Sequence, residues 1–192
     1  MESTIRRGTP GVRRALVVVH ERPVGPVARV AAAVAAALRA EGVTVRVVRP
    51  DDLVDWADLD LLVIGASATA LATRRDRGTG LGHWLAALPQ GGDAGPALAT
   101  YETRLSRRGL RRGAAVRTTL GLSSRGWRVA SVPATFFVGA SGALGVAEVA
   151  RASRWGYDLA RGAQRHGPLD DGPALLAGAD LTGPAELVGA LS

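Results

Sequence analysis

Ala15-Leu16-Val17-Val18-Val19, then His20 to Gly25, then Pro26 to Gly42, is the stretch that decides the fold. Five apolar residues in a row mark a strand buried on both faces, since a half-solvated strand would alternate. His20 to Gly25 is a six-residue loop. Pro26 opens an Ala-rich helix and Gly42 stops it. Proline's fixed φ suits the first helical position, and glycine suits the residue just past the end. A buried strand that feeds through a loop into a helix N-terminus is how α/β proteins bind phosphate, because the helix offers unsatisfied N–H groups there.

The pattern continues on the C-terminal side. Val43 to Val48 reads as a second strand and Leu59 to Gly65 as a third. Pro96 to Glu102 reads as a fourth. Thr135 to Val138, with Trp127 to Val129 as its lead-in, reads as a fifth. Asp51 to Ala57 is a short acidic helix or turn. Leu81 to Leu88 is a helix closed by Pro89, and Gly113 to Ser123 is another. Leu144 to Arg161 is the last, with Val146, Val149, Ala150, Trp155 and Leu159 near helical spacing. Ala66 to Thr79 and Thr103 to Arg112 are loops, and Gly91 to Gly95 is a linker. Five strands with helical connections predict a parallel sheet with helices on both faces. Ligands of such sheets bind at the carboxyl ends of the strands, near the point where the strand order reverses. Residues 1–13 read as a disordered basic arm, 14–162 as the domain and 163–192 as a Gly/Pro-rich tail. Within that tail, Pro184 to Leu191 suits one or two helical turns.

Composition narrows the chemistry. The chain has 192 residues, the size of one domain, and 47% of them are apolar, enough for a core. Val30 to Leu38, the longest apolar stretch, is too short to span a bilayer. No secretory signal pattern follows Arg13 and Arg14, so a soluble cytoplasmic protein with no membrane partner is expected. Cysteine is absent, which excludes disulfides, thiolate metal sites and cysteine nucleophiles. Lysine and asparagine are absent too, and all 24 basic residues are arginine. That excludes a P-loop NTPase, a Schiff-base enzyme and a receiver that needs a strand-end lysine. The net charge of +7 suits an anionic ligand or an acidic partner.

From Ala15 to Arg161 the chain resembles the flavodoxin family. Ala15 to Glu21 is similar to the family's first strand and its turn, and Asp58 to Gly65 to the third strand. Gly82 to Pro89 is similar to the helix that follows. Ala99-Thr100-Tyr101-Glu102-Thr103-Arg104 resembles the Phe-Asp-Thr-Arg end of the fourth strand. Phe137 to Gly139, Gly142 to Gly145 and Arg154-Trp155-Gly156 resemble the last strand and helix. The resemblance implies a three-layer α/β fold with a five-stranded parallel sheet in the order 2-1-3-4-5. It also implies FMN as cofactor and a role in electron transfer. The FMN phosphate would sit over Glu21, Arg22, Val24, Gly25, Val27 and Ala28. The ring would lie between Ser67, Ala68 and Thr69, running to Leu71, on one side and Tyr101, Glu102 and Thr103 on the other.

The phosphate loop departs from the family pattern. Arg22 stands where a serine is expected, and Pro26 and Val27 stand for the usual asparagine and threonine. Hydroxyl donors are lost, and Pro23 and Pro26 carry no N–H. Gly25, the N–H groups of Val24, Val27 and Ala28, and the helix dipole remain. The dipole is equivalent to roughly half a positive charge at that end. Ala66 to Thr79 holds no aromatic residue. Tyr101 is the one aromatic near the end of the fourth strand. It either stacks on a ring held there or packs as a strand tyrosine with its hydroxyl at the sheet edge.

Arginine fills the expected ligand edge. Arg22 follows the first strand; Arg74, Arg75 and Arg77 the third; Arg104, Arg107, Arg108, Arg111 and Arg112 the fourth. Such a rim is either an anion site, with Arg22 offering phosphate a charged fork, or a solvated edge in a chain that uses arginine by default. Asp51, Asp52 and Asp55 follow the second strand and face it. A flavin-free module that binds an anionic metabolite or an acidic protein through this rim is the alternative to a flavin protein. The basic loops lack interleaved aromatics, so nucleic acid is not an expected partner. Gly65-Ala66-Ser67-Ala68-Thr69 lacks the second glycine of a nucleophile elbow, and Ser141 has no evident base. His20, His83 and His166 are not spaced as a helical metal pair. His20, closing a buried strand, is placed either to meet a ligand or to pack inside. Trp56, Trp84, Trp127 and Trp155 fall on apolar faces, which predicts core packing.

Overall fold

A computed structural model describes residues 12–20, 25–52, 58–68, 81–92, 94–105 and 113–162. Five strands and four helices lie among them: β1 (Arg14–His20), α1 (Pro26–Ala40), β2 (Thr44–Val48), β3 (Leu61–Ser67), α2 (Leu81–Ala87), β4 (Ala97–Arg104), α3 (Ala114–Ser123), β5 (Ala134–Phe137) and α4 (Val146–Gly162). The strands are parallel in the order β2-β1-β3-β4-β5, so the sequence-derived architecture and strand order hold. The order reverses between β1 and β3, and the carboxyl ends of those two strands are where ligands of such sheets bind.

Each strand feeds both layers, because successive side chains point to opposite faces. Val17 and Val19 of β1, Val63 of β3 and Tyr101 of β4 pack under α1 and α4. Leu16, Val18, Leu62, Ile64 and Leu98 face Leu81 of α2 and Leu122 of α3. The continuous apolar run of β1 is thus explained by burial on both sides. Gly42, at φ +82°, lies past the end of α1, where the sequence reading puts the stop.

Several boundaries move. Strand β4 runs two residues past Glu102, so Thr103 and Arg104 are strand and not loop. Val129 of the expected lead-in pairs with Leu98 in one parallel bridge, and β5 proper starts at Ala134. The domain is anchored before residue 14: Val12 packs against the core, and the Arg13 N–H donates to Asp60 at 2.7 Å. Most of the expected arm lies outside the described residues, as do residues 53–57 with Trp56 and Asp55, and the tail from 163 with His166.

Helix α4 corrects another expectation. Val146 is 87% exposed, and Ala150 is exposed. The buried stripe is Ala152, Gly156, Leu159 and Ala160, with Val149 and Trp155 partly buried beside it. Small residues win because α1 and α4 touch almost backbone to backbone. A Cβ on Gly156 would stand 2.8 Å from the Ala37 Cβ and 2.9 Å from the Val34 carbonyl. Trp127 is buried with its indole N–H on the Pro89 carbonyl at 3.1 Å, and Trp84 is half-buried against the α2 side.

The two outer strands are closed by side chains. Arg151 of α4 donates to the Thr135 carbonyl, and Glu148 accepts the Phe137 N–H at 2.9 Å, which covers the β5 edge. Arg39 of α1 donates to the Val45 carbonyl of β2 at 2.9 Å. These three contacts satisfy edge groups that would otherwise invite another strand.

Gly156→Val should overpack the α1–α4 seam and lower stability by about 1–3 kcal/mol. The check is the urea midpoint, which should fall with an unchanged m-value. An unchanged midpoint would mean the helices do not approach this closely.

Candidate functional site

The carboxyl ends of β1, β3 and β4 bring together one end of the candidate set. His20 closes β1, and Gly25 caps α1 in extended conformation, φ −80° and ψ 172°. Pro26 takes the first helical position, where its missing N–H costs nothing to the helix. Val27 is fully buried and Ala28 half-buried in the same turn. The first turn holds no acidic residue, and Arg29 in it is exposed. A cation there opposes the helix dipole, so this end of α1 is electropositive. Glu21, Arg22 and Val24 lie outside the described residues, as does Thr69.

Ser67 ends β3 beside Thr103 of β4, and the Ala68 N–H just past the strand donates to the Thr103 carbonyl at 2.9 Å. That bond closes the rim between the two strands. Thr103 is 4% exposed.

Tyr101 is not at the rim. Its ring is 1% exposed and lies in the α1/α4 core, edge-on to Phe136 and Trp155 with centroids 6.0 Å away in both cases. Its hydroxyl donates to the Val27 carbonyl at 2.9 Å. Gly65 of β3 makes room, since a Cβ there would stand 2.0 Å from the ring carbon that bears the hydroxyl. Of the two roles open to Tyr101 in the sequence, stacking is ruled out because neither ring face is free. The observed role is core packing, with the hydroxyl turned to α1.

Glu102 points to the opposite face and is equally buried, at 1% exposure. One carboxylate oxygen accepts the Ala115 N–H at 3.1 Å in the first turn of α3, and the other takes the Arg104 Nε at 2.9 Å. Gly113, the N-cap of α3, has no side chain to do this work. Glu102 therefore serves as an internal anion for α3, held by charge, dipole and hydrogen bond together. It and Arg104 are drawn into the fold, so Arg104 is not part of a free cationic rim. The other eight arginines of the expected rim lie outside the described residues. Asp52 folds back on the Arg49 N–H at 2.7 Å in a turn.

His20, open in the sequence to either a ligand contact or interior packing, closes β1 at this same edge. Its Nδ1 is buried without a hydrogen-bond partner. It shares a sheet row with Ala66, Glu102 and Thr135. Among the described residues no group of three or more His, Asp or Glu is placed to hold a metal ion, and no helix is long and apolar enough to cross a membrane. A groove of about 290 Å³ between α2 and α3 is lined by Leu85, Leu122, Arg117 and Arg125. It is formed by the C-terminal halves of those helices, which run back toward the amino edge of the sheet, away from the ligand edge.

No protein-family model matches the chain, and no curated protein matches it in sequence. Solved structures match in fold. Oxidised flavodoxin 1 from Bacillus cereus is 14% identical with a TM-score of 0.59, over 78% of this chain and 97% of that one. A flavodoxin from the domain Archaea is 16% identical with a TM-score of 0.54, over 79% and 99%. A short-chain flavodoxin associated with a non-canonical PDU bacterial microcompartment is 15% identical with a TM-score of 0.58, over 80% and 99%. The chain has the flavodoxin-like fold, as its strand order requires.

Glu102→Ala should leave Arg104 unpaired and an α3 N–H without its acceptor, and cost about 2 kcal/mol after allowance for the partial exposure of Arg104. Glu102→Gln, which keeps an acceptor and loses the charge, should cost less. Urea denaturation of both variants measures this. Wild-type stability in Glu102→Ala would contradict the structural role.

Proposed function

We propose that this chain is a flavodoxin-like FMN protein of the cytoplasm that carries one or two electrons to or from an acidic partner protein. The observation that carries the reading is the amino end of α1. A fifteen-residue helix starts directly off β1 at the reversal of strand order, with an extended glycine cap and no acidic residue in its first turn. A helix start of this kind suits a phosphate dianion through the helix dipole, which supports the reading.

The phosphate end of FMN fits this place. The main chain of Gly25, Val27 and Ala28 would hold it, with Glu21, Arg22 and Val24 completing the loop and the Arg22 guanidinium standing in for the lost hydroxyls. The ring end is less well provided. Ser67, Ala68 and Thr103 would border it, and Tyr101 gives it no stacking face. When bound, the flavin supplies reversible uptake of one or two electrons. The protein's share is to bind the phosphate, orient the ring and limit water. The arginines after β1, β3 and β4 would meet the acidic partner.

A second reading is favoured by the inward turn of Tyr101 and the absence of aromatics from Ala66 to Thr79. In it the chain is flavin-free, and the same electropositive rim takes another anionic metabolite or an acidic protein.

Visible spectroscopy separates the two. The purified protein should be yellow, or should shift the FMN bands on titration, and inorganic phosphate should compete. A colourless protein that leaves the FMN spectrum unchanged overturns the first reading and leaves the second.

A further inference from the structure

We propose that residues 184–191 of this chain dock into the groove between α2 and α3, so that the protein covers its own apolar groove with an acidic segment of its C-terminal stretch.

The groove is built from the second halves of two helices. Leu85 and Ala86 of α2 and Thr118, Gly121 and Leu122 of α3 line a space of about 290 Å³. A cavity of about 150 Å³ takes one benzene-sized group, so this one takes two side chains of that order. Gly121 keeps it open, because a Cβ there would meet no neighbouring group within 4 Å. No acidic residue lines the groove, and Arg125 closes one end. The Arg125 guanidinium is half-buried and donates to the Leu85 carbonyl at 2.6 Å and to the carbonyls of Leu88 and Pro89. Those bonds tie off the end of α2 and leave the charge unmatched: no carboxylate among the described residues pairs with Arg125. The complementary occupant is apolar and carries a carboxylate.

Residues 163–192 supply both. They hold four acidic residues, Asp170, Asp171, Asp180 and Glu186, against a single arginine, Arg165. Residues 1–162 have the opposite balance, with 23 arginines and 13 acidic residues. In the stretch 184–191, Leu187 and Leu191 are four apart with Val188 beside the first, the spacing of apolar anchors that enter a groove from one helical face. Two leucines match the volume, and Glu186 next to Leu187 matches the charge.

The connection is long enough. Helix α4 ends at Gly162, beside the Arg161–Glu41 pair at 2.9 Å, and so at the amino edge of the sheet where α1 also ends. The groove lies toward the same edge on the other face. Residues 163–183 reach up to about 70 Å when extended. A domain of this size has a radius of gyration of about 15 Å. Tethering also gives the segment an effective concentration in about the millimolar range, which an acidic peptide from outside has to exceed. The net charge of +7 disfavours a second copy as occupant.

The lack of cysteine allows a single labelled site in the full chain. A nitroxide on Ser192→Cys should broaden the amides of Leu85, Ala86, Thr118, Gly121 and Leu122. Gly121→Glu, which puts bulk and a like charge into the groove, should abolish that broadening. Leu187→Asp, which removes an anchor and leaves the groove intact, should abolish it as well. Val146→Glu, at an exposed position on α4, should retain it. Broadening that misses the groove, spreads evenly over the surface, persists in Gly121→Glu or Leu187→Asp, or vanishes equally in Val146→Glu overturns the proposal. The same broadening in an isotope-labelled chain mixed with nitroxide-bearing chains puts a second copy in the groove and overturns it too.

Discussion

The hydrogen bond from the Tyr101 hydroxyl to the Val27 carbonyl is the constraint on which the joint between the sheet and the start of α1 depends. It joins the middle strand of one half of the sheet to the first turn of the helix that follows β1. The bond is possible only because Gly65 carries no side chain and because Phe136 and Trp155 brace the ring. An aromatic that would serve a flavin from the rim has been spent inside the fold, and what it secures is the electropositive end of α1.

Two helix N-termini meet this edge and are treated differently. That of α3 receives an internal carboxylate, Glu102, itself paired with Arg104. That of α1 has glycine as its cap, proline next, and an arginine where an acid would be favoured. The fold caps the start of α3 with a carboxylate of its own, and no acidic residue lies in the first turn of α1. This difference is why the proposed anion is placed at α1 and why Glu102 is given a structural role.

Much of the fold was legible because burial leaves a direct mark on sequence. Ala15 to Val19 is apolar without a break since both layers pack on β1, and Pro26 and Gly42 bracket α1 for stereochemical reasons local to those residues. The buried stripe of α4 was misread for the opposite reason. Its contact surface is made of Ala152, Gly156 and Ala160, which are small because α1 comes close, and a hydrophobicity pattern gives such residues little weight. The site was less legible still. Tyr101, Glu102 and Thr103 are adjacent in sequence, and β alternation sends the first two to opposite layers. Their true partners, Val27 and Ala115, are 74 and 13 residues away, and nothing in the spacing announces either bond. Arg104 was counted with the rim because strand β4 was expected to end two residues earlier.

The most direct measurement is an amide chemical-shift titration of the intact protein with inorganic phosphate at low ionic strength. Saturable shifts concentrated at Gly25, Val27 and Ala28, with the amides of the first turn of α3 unmoved, are the expected result. Shifts spread evenly over the surface arginines, or none in the first turn of α1, would contradict the assignment of the anion to this helix.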